Sequence, residues 1–168
     1  MKVLRSFQMA QLGILYKDTL MSYNPNVKGN QADVVAKGTG DSILNDSGTS
    51  LIKATPVRID PNGNIASVNV SVEIQALSVV GVAIENILDG TIGQILTNGR
   101  IEDIVTTSNN GDVLYISKTG GLTNVQPNEG VGGFVAGDFI IRIGVIYKNT
   151  SNPSKQDLLL NIDVVGQI

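Results

Sequence analysis

The sequence predicts an all-β domain, a small β-barrel or β-sandwich, preceded by an N-terminal arm. Three observations predict it. Strand-like apolar runs recur about every ten residues from Ala32 onward, with Gly, Asn, Asp and Pro turns between them. Several runs alternate apolar and polar residues, the period of a strand with one buried face. Hydrophobic residues make up 42% of the 168-residue chain and aromatic residues only 4%, so a globular core must be built from Val, Ile, Leu and Ala.

Residues 1–31 form the arm and its linker, and residues 32–168 form the β domain. In the arm, Val3, Leu4, Phe7, Leu12, Ile14, Leu15, Leu20 and Met21 follow neither the helical nor the strand period, so an extended arm and a short amphipathic helix both fit. "YNPNVKGNQ" (Tyr23–Gln31) is a loop by its Pro, Gly and Asn. "ADVVAKG" is a short strand, and "GTGDSILNDSGTS" is mostly turn chemistry.

A hairpin follows in "SLIKATPVRIDPNGNIASVNVSVEI". Asn62-Gly63 suits a two-residue turn, and Pro56 points to an edge or a break. Val68, Val70, Val72 and Ile74 alternate with polar residues and read as a strand, with a helical turn through "SVEIQAL" as the rival. "LSVVGVAIEN" reads as a strand with both faces apolar. Asp89-Gly90 and Gly93 mark turns. "GQILTNG", "IEDIVTT", "GDVLYISKTG", "GDFIIRIGVIYKN" and "DLLLNIDVVGQI" supply the remaining strands. "VGVAIEN" (Val80–Asn86) is echoed by "IGVIYKN" (Ile143–Asn149), which would place two related strand pairs on opposite sides of one barrel.

Composition narrows the function. Charged residues are 16% of the chain, against about 25% in ordinary soluble domains. Either partners cover part of the surface, or the exterior is rich in Asn, Ser and Thr. The net charge is −3 with no basic cluster, which argues against a nucleic-acid partner. No apolar run is long enough to span a membrane, and "MKVLRSFQMAQLGILYKD" lacks the apolar stretch and cleavage site of a signal peptide. The chain has no Cys and no His. Disulfides, thiolate zinc sites and His-dependent nucleophile–base pairs are therefore excluded.

The remaining motifs read as structure. Asp60, Asn62 and Asn64 have the first, third and fifth spacing of a calcium loop, but Ile65 and Ser71 stand where that loop needs Gly and an acid. "GTGDSILNDSG" lacks the pattern of a phosphate cradle. Glu102 and Asp103 are neighbours, which a strand points to opposite faces. Glu73 and Glu85 could in principle meet across strands, but the sequence gives no register for them, and each reads as an ordinary solvated acid. Tyr115 and Lys118 face opposite ways on a strand, and Lys118 reads as a solvated charge at a sheet edge. No enzyme, metal or cofactor site is expected.

Three segments together, "VVGVAIENILDGTIGQILTNGRIEDIVTT", "GDVLYISKTGGLTNVQPNEG" and "GDFIIRIGVIYKN", resemble the small β-rich virion proteins of tailed bacteriophages. These are the capsid decoration proteins, also called auxiliary or head-fibre proteins. The resembling segments are Val80–Ala83, Gly93–Ile101, Gly111–Tyr115, Gly121–Thr123, Pro127–Gly130 and Ile141–Ile146, within a span from Ala54 to Tyr147. Similar strands occur in phage tail and fibre-attachment modules.

The resemblance implies a β-barrel or sandwich, usually a homotrimer, that binds the outer capsid surface and staples neighbouring subunits of the major capsid protein. Head fibres are a further implied partner. The implied location is the capsid surface of a virion assembled in the bacterial cytoplasm. An arm that orders on its partner fits this role, with Leu4, Phe7, Leu12, Ile14, Leu15 and Tyr16 as its contact residues. Two other readings stand beside this one. A tail, baseplate or fibre-anchoring protein shares the chemistry and differs in symmetry. A carbohydrate-binding module is disfavoured by the absence of Trp and the placing of several Phe and Tyr in core-like strands.

Overall fold

The computed structural model describes residues 40–168. The expected arm, its expected contact residues Leu4, Phe7, Leu12, Ile14, Leu15 and Tyr16, and the expected "ADVVAKG" strand lie outside the described residues. The rest is all-β, two curled antiparallel sheets forming a half-barrel. The strands are β1 (Asp41–Leu44), β2 (Pro56–Ile59), β3 (Ile65–Ser67), β4 (Val79–Ala83), β5 (Ile92–Leu96), β6 (Gly99–Ile104), β7 (Val113–Ile116), β8 (Leu122–Thr123), β9 (Phe139–Lys148) and β10 (Gln156–Gln167). One short helix, α1 (Glu73–Leu77), lies between β3 and β4.

The first sheet has the order β1-β5-β4-β2-β3, and the second β6-β10-β9-β7-β8. These are the same order: each half of the domain lays its five strands down in one pattern. The registers agree as well. Pro56 pairs Val82 and Val57 pairs Gly81, and in the second half Val113 pairs Val145 and Leu114 pairs Gly144. An irregularity follows at the same step, after which Arg58 pairs Val79 and Tyr115 pairs Arg142. Val82 and Ala83 pair Leu96 and Ile95, as Val145 and Ile146 pair Leu159 and Leu158.

The hairpins repeat too. In the β2–β3 turn, Asp60 N–H donates to the Asn64 carbonyl (2.8 Å), Gly63 N–H to the Asp60 carbonyl (3.0 Å), and Asn64 N–H to Asp60 Oδ1 (2.9 Å). In the β7–β8 turn, Ser117 N–H donates to the Gly121 carbonyl (2.8 Å), Gly120 N–H to the Ser117 carbonyl (2.9 Å), and Gly121 N–H to Ser117 Oγ (3.0 Å). Gly63 and Gly120 supply the left-handed backbone, with φ of 83° and 85°. The "VGVAIEN"/"IGVIYKN" echo is thus the visible part of a repeated five-stranded unit. Its two strand pairs lie in different sheets.

The units stack in the same sense. In the first, Val57, Ile65, Ala83 and Ile95 face a small core with Leu51 and Ile87. Their counterparts Leu114, Ile146 and Leu158 face the large core with Ile116, Ile141 and Ile143. Val82 and Leu96, on the other face of the first sheet, enter that large core together with Val68, Val70 and Ala76 of the α1 segment. The first sheet is therefore apolar on both faces, as expected for "LSVVGVAIEN". An isolated parallel bridge from Asn45 to Ile65 draws its two edges together.

Some sequence expectations give way. The run Val68–Ile74 is not a strand. Asn69 Oδ1 accepts the Ser71 N–H (3.0 Å), the Asn69 carbonyl accepts the Val72 N–H (3.2 Å), and this turn leads into α1. Val68 and Val70 are buried, whereas Val72 and Ile74 are 36% and 73% exposed, so the alternation serves no sheet face. β1 lies within the turn-rich "GTGDSILNDSGTS". The Asn62-Gly63 turn is wider than two residues, spanning 60–64 under the Asp60 side chain. Pro56 opens an interior strand, a position that needs no ladder N–H from it. Gly93 lies within β5 rather than in a turn.

Candidate functional site

The stretch Gly111–Gly130 contains Lys118 and Tyr115. Tyr115 lies on β7, and Lys118 lies in the turn after it. Lys118 is not the solvated charge expected from its Gly-rich setting. Its Nζ donates to Ser71 Oγ (2.6 Å) and forms an ion pair with the buried Asp138. Asp138 also accepts the Val135 N–H (2.8 Å). The pair ties three segments together: the α1 lead-in, the β7–β8 turn and the entry to β9. Burial pushes the Asp138 carboxyl up, but Lys118, the Val135 amide and Ser71 together hold it below its ordinary value of 3.8. A lysine held this way is a structural cation.

A second polar cluster centres on Asp157, which is fully buried. It accepts Arg100 Nε (2.7 Å), the Asp103 N–H (3.0 Å) and Asn149 Nδ2 (2.9 Å). Asp103 sits at a left-handed φ of 56°, beside a register shift in the β6–β10 ladder. Its carboxylate accepts the same Asn149 amide group (2.9 Å). Glu102, its neighbour, instead approaches Arg100 (3.6 Å). The two acids are thus not brought together, in line with their strand positions. Asp157 was not singled out from the sequence. A single acid opening the apolar run "DLLLNID" was the available signal.

The other candidates separate in space or act locally. Asp60 is occupied by the amides of Asn62 and Asn64, so the DPNGN segment works as a turn. Glu73 starts α1, whereas Glu85 follows β4 and accepts the Gln94 N–H (3.0 Å). Among the described residues, no group of three His, Cys, Asp or Glu is placed to hold a metal ion. Among them, too, no helix is long and apolar enough to cross a membrane.

Two shallow concavities flank β6. One, about 420 Å³, lies between Ile52 and Ala54 on one side and Val105, Thr106 and Leu122 on the other. The other, about 240 Å³, lies among Thr106, Ser108, Pro153 and Lys155. Neither is lined by an acid, and each is lined largely by Thr, Ser and aliphatic groups.

Broad surface is the more prominent feature. On the outer face of the second sheet, Val145, Tyr147 and Leu159 are exposed, and the Arg100 guanidinium stands 5.7 Å from the Tyr147 ring. Comparison with protein-family models, curated proteins and solved structures returned no significant match.

Proposed function

We propose that this chain is a structural protein of a tailed-bacteriophage virion. More particularly, it is a capsid decoration or auxiliary protein. It binds the outer lattice of the major capsid protein as a homo-oligomer, with a trimer favoured, and stabilises the lattice or anchors head fibres. The observation that carries this reading is the ordered series of segments resembling that family. Val80–Ala83 lies on β4, Gly93–Ile101 runs from β5 into β6, Gly111–Tyr115 leads into β7, Gly121–Thr123 leads into β8, and Ile141–Ile146 lies on β9.

Physical considerations support it. A lattice-binding protein needs broad contacts and gains avidity from many copies on a repeating surface. The chain carries few charges, exposes aliphatic groups on strands, and uses its buried acids in internal pairs. Leu4, Phe7, Leu12, Ile14, Leu15 and Tyr16 of the arm are the proposed capsid contacts.

The test is direct imaging of purified particles bearing a labelled chain. Density at regular positions on the shell is expected. Density confined to a tail or baseplate would replace this reading with the fibre-anchoring one, and absence from the particle would overturn both.

A further inference from the structure

The two five-stranded units close differently. In the first, an isolated parallel bridge joins Asn45, just past β1, to Ile65 at the start of β3, so the two edges of the sheet meet. The matching residues of the second unit are Thr106 and Leu122. Leu122 pairs Ile116 as Ile65 pairs Ile59. Ile104 pairs Gln156 as Ile43 pairs Gly93, and Thr106 and Asn45 each stand two residues further on. Among the described residues no bridge joins Thr106 to Leu122, and both instead line the concavity of about 420 Å³. The cause lies in β6. Between Ile101 and Ile104 it holds one residue more than β10 opposite, with Asp103 at a φ of 56°, whereas β1 matches β5 one for one. Such a bulge bends a strand and ends its pairing. Val105, Thr106 and Thr107 make no backbone hydrogen bond among the described residues.

The charges around this open seam are of one sign. Residues 40–168 carry thirteen acids and seven cations. Arg100, Lys118 and Arg142 are in ion pairs, and Arg58 Nε donates to the Ser67 carbonyl (3.1 Å). The other three are Lys53, Lys148 and Lys155. Lys53 lines the larger concavity, Lys155 lines the smaller one, and Lys148 is paired with Gln156 in the ladder beside them. The two concavities share Ile104, Val105 and Thr106. Gln156 lines the smaller one, and its Oε1 is buried without a hydrogen-bond partner among the described residues. A buried acceptor of this kind calls for a donor.

We propose that the open seam between β6 and β8 is a binding site for an extended acidic segment of a partner protein. Its backbone pairs with Val105–Thr107, the strand edge that the bulge leaves open. Its carboxylates meet Lys53 and Lys155, and one of its N–H groups reaches Gln156 Oε1. The first unit shows what completes such a seam, which is backbone pairing at the Asn45 position. Charge selects the occupant. Residues 1–39 hold five Lys and Arg against two Asp and Glu, so the chain's own N-terminal segment has the wrong sign for a site bordered by lysines. This inference rests on strand register and charge, and stands whether or not the chain belongs to a virion.

The experiment is fluorescence anisotropy of the full chain with a labelled ten-residue peptide alternating Glu and Val. A dissociation constant below about 1 mM is expected, weakening with salt. A Lys/Val peptide of the same length should not bind, nor should the Glu/Val peptide N-methylated at alternate residues, which keeps the charge and removes the strand donors. Lys53→Glu/Lys155→Glu should weaken binding about tenfold or more with an unchanged circular dichroism spectrum. If that variant misfolds, Lys53→Gln/Lys155→Gln serves, with a loss in the same direction. The chain has no Cys, so Val105→Cys, at a site 87% exposed, gives a single attachment point for a photo-crosslinker. Capture of the peptide there is expected. Failure of the Glu/Val peptide to bind overturns the proposal, as does equal binding by the N-methylated peptide, the Lys/Val peptide or the lysine variants. A crosslink from Val105→Cys to residues 1–39, or to a second copy of the chain, would replace the partner with that occupant and overturn it equally.

Discussion

Gly144 faces the carbonyl oxygen of Leu159, and Gly81 faces that of Leu96, at matched positions of the two five-stranded units. A Cβ on either glycine would fall inside the van der Waals radius of that oxygen. Both sit at the step where the register of the preceding strand pair shifts. The shift brings the neighbouring backbone close, and only a residue without a side chain tolerates the approach. The shared glycine of "VGVAIEN" and "IGVIYKN" is therefore a requirement of the ladder in each unit.

Gly81→Ala and Gly144→Ala are each expected to destabilise the domain by about 1–3 kcal/mol, the usual cost of overpacking. Gly166→Ala is the control, since a Cβ there meets nothing within 4 Å. It should change stability by less than about 0.5 kcal/mol. Urea midpoints of the three variants decide it. A neutral Gly144→Ala would show that the β9–β10 approach relaxes freely.

Lys118→Met should cost about 3 kcal/mol, because it leaves the buried Asp138 carboxylate without its cation. The low end of the range for broken buried pairs applies, as the lysine side chain is 27% exposed. Asp138 also confers a pH dependence. Its carboxyl is held below 3.8 in the folded state, so the unfolded chain binds the proton more readily. The stabilisation is present above that value and is lost as pH falls below it, through the folded pKa. Urea unfolding between pH 5 and pH 2.5, compared with Asp138→Asn, isolates this contribution. Parallel pH profiles for the two proteins would remove Asp138 as its source.

The long strands were legible because period-two alternation and two-sided apolar runs survive in sequence. β4, β7 and β9 fall within a predicted run, and β5, β6 and β10 overlap one. β1 was hidden because Asp41–Leu44 is short and set among turn residues. The α1 region misled because Val72 and Ile74 continue an alternation that the Asn69 turn has already ended. The repeated unit was legible only as a short echo. Its register lives in the backbone, and unlike residues do the same work: Asp60 and Ser117 cap the same turn. The polar clusters join residues as far apart as Arg100 and Asp157, which no local spacing rule connects.

Asp157→Ala should be among the most damaging single changes. It would strip the Arg100 guanidinium, the Asp103 N–H and the Asn149 amide of their shared acceptor. Removing one partner of such a buried pair costs about 3–5 kcal/mol. Asp157→Asn keeps an acceptor and should cost less. Thermal melts of both variants check the order. Equal losses would mean that the charge on Asp157, rather than the bonds it accepts, holds β6, β10 and the Asn149 turn together.

Deleting residues 1–28 tests the arm. The described β domain keeps both cores within residues 40–168, so its circular dichroism and cooperative unfolding should survive. If Leu4, Phe7, Leu12, Ile14, Leu15 and Tyr16 make the capsid contact, the truncated chain should no longer co-sediment with particles that lack the native protein. Replacing the six residues with Ser in the full chain should have the same effect, which separates their apolar contact from mere chain length. A lattice multiplies weak contacts, so each side chain contributes through many copies at once. Single substitutions should then lower occupancy gradually, and the six together should abolish it. Full binding by the truncated chain would move the contact onto the β domain itself.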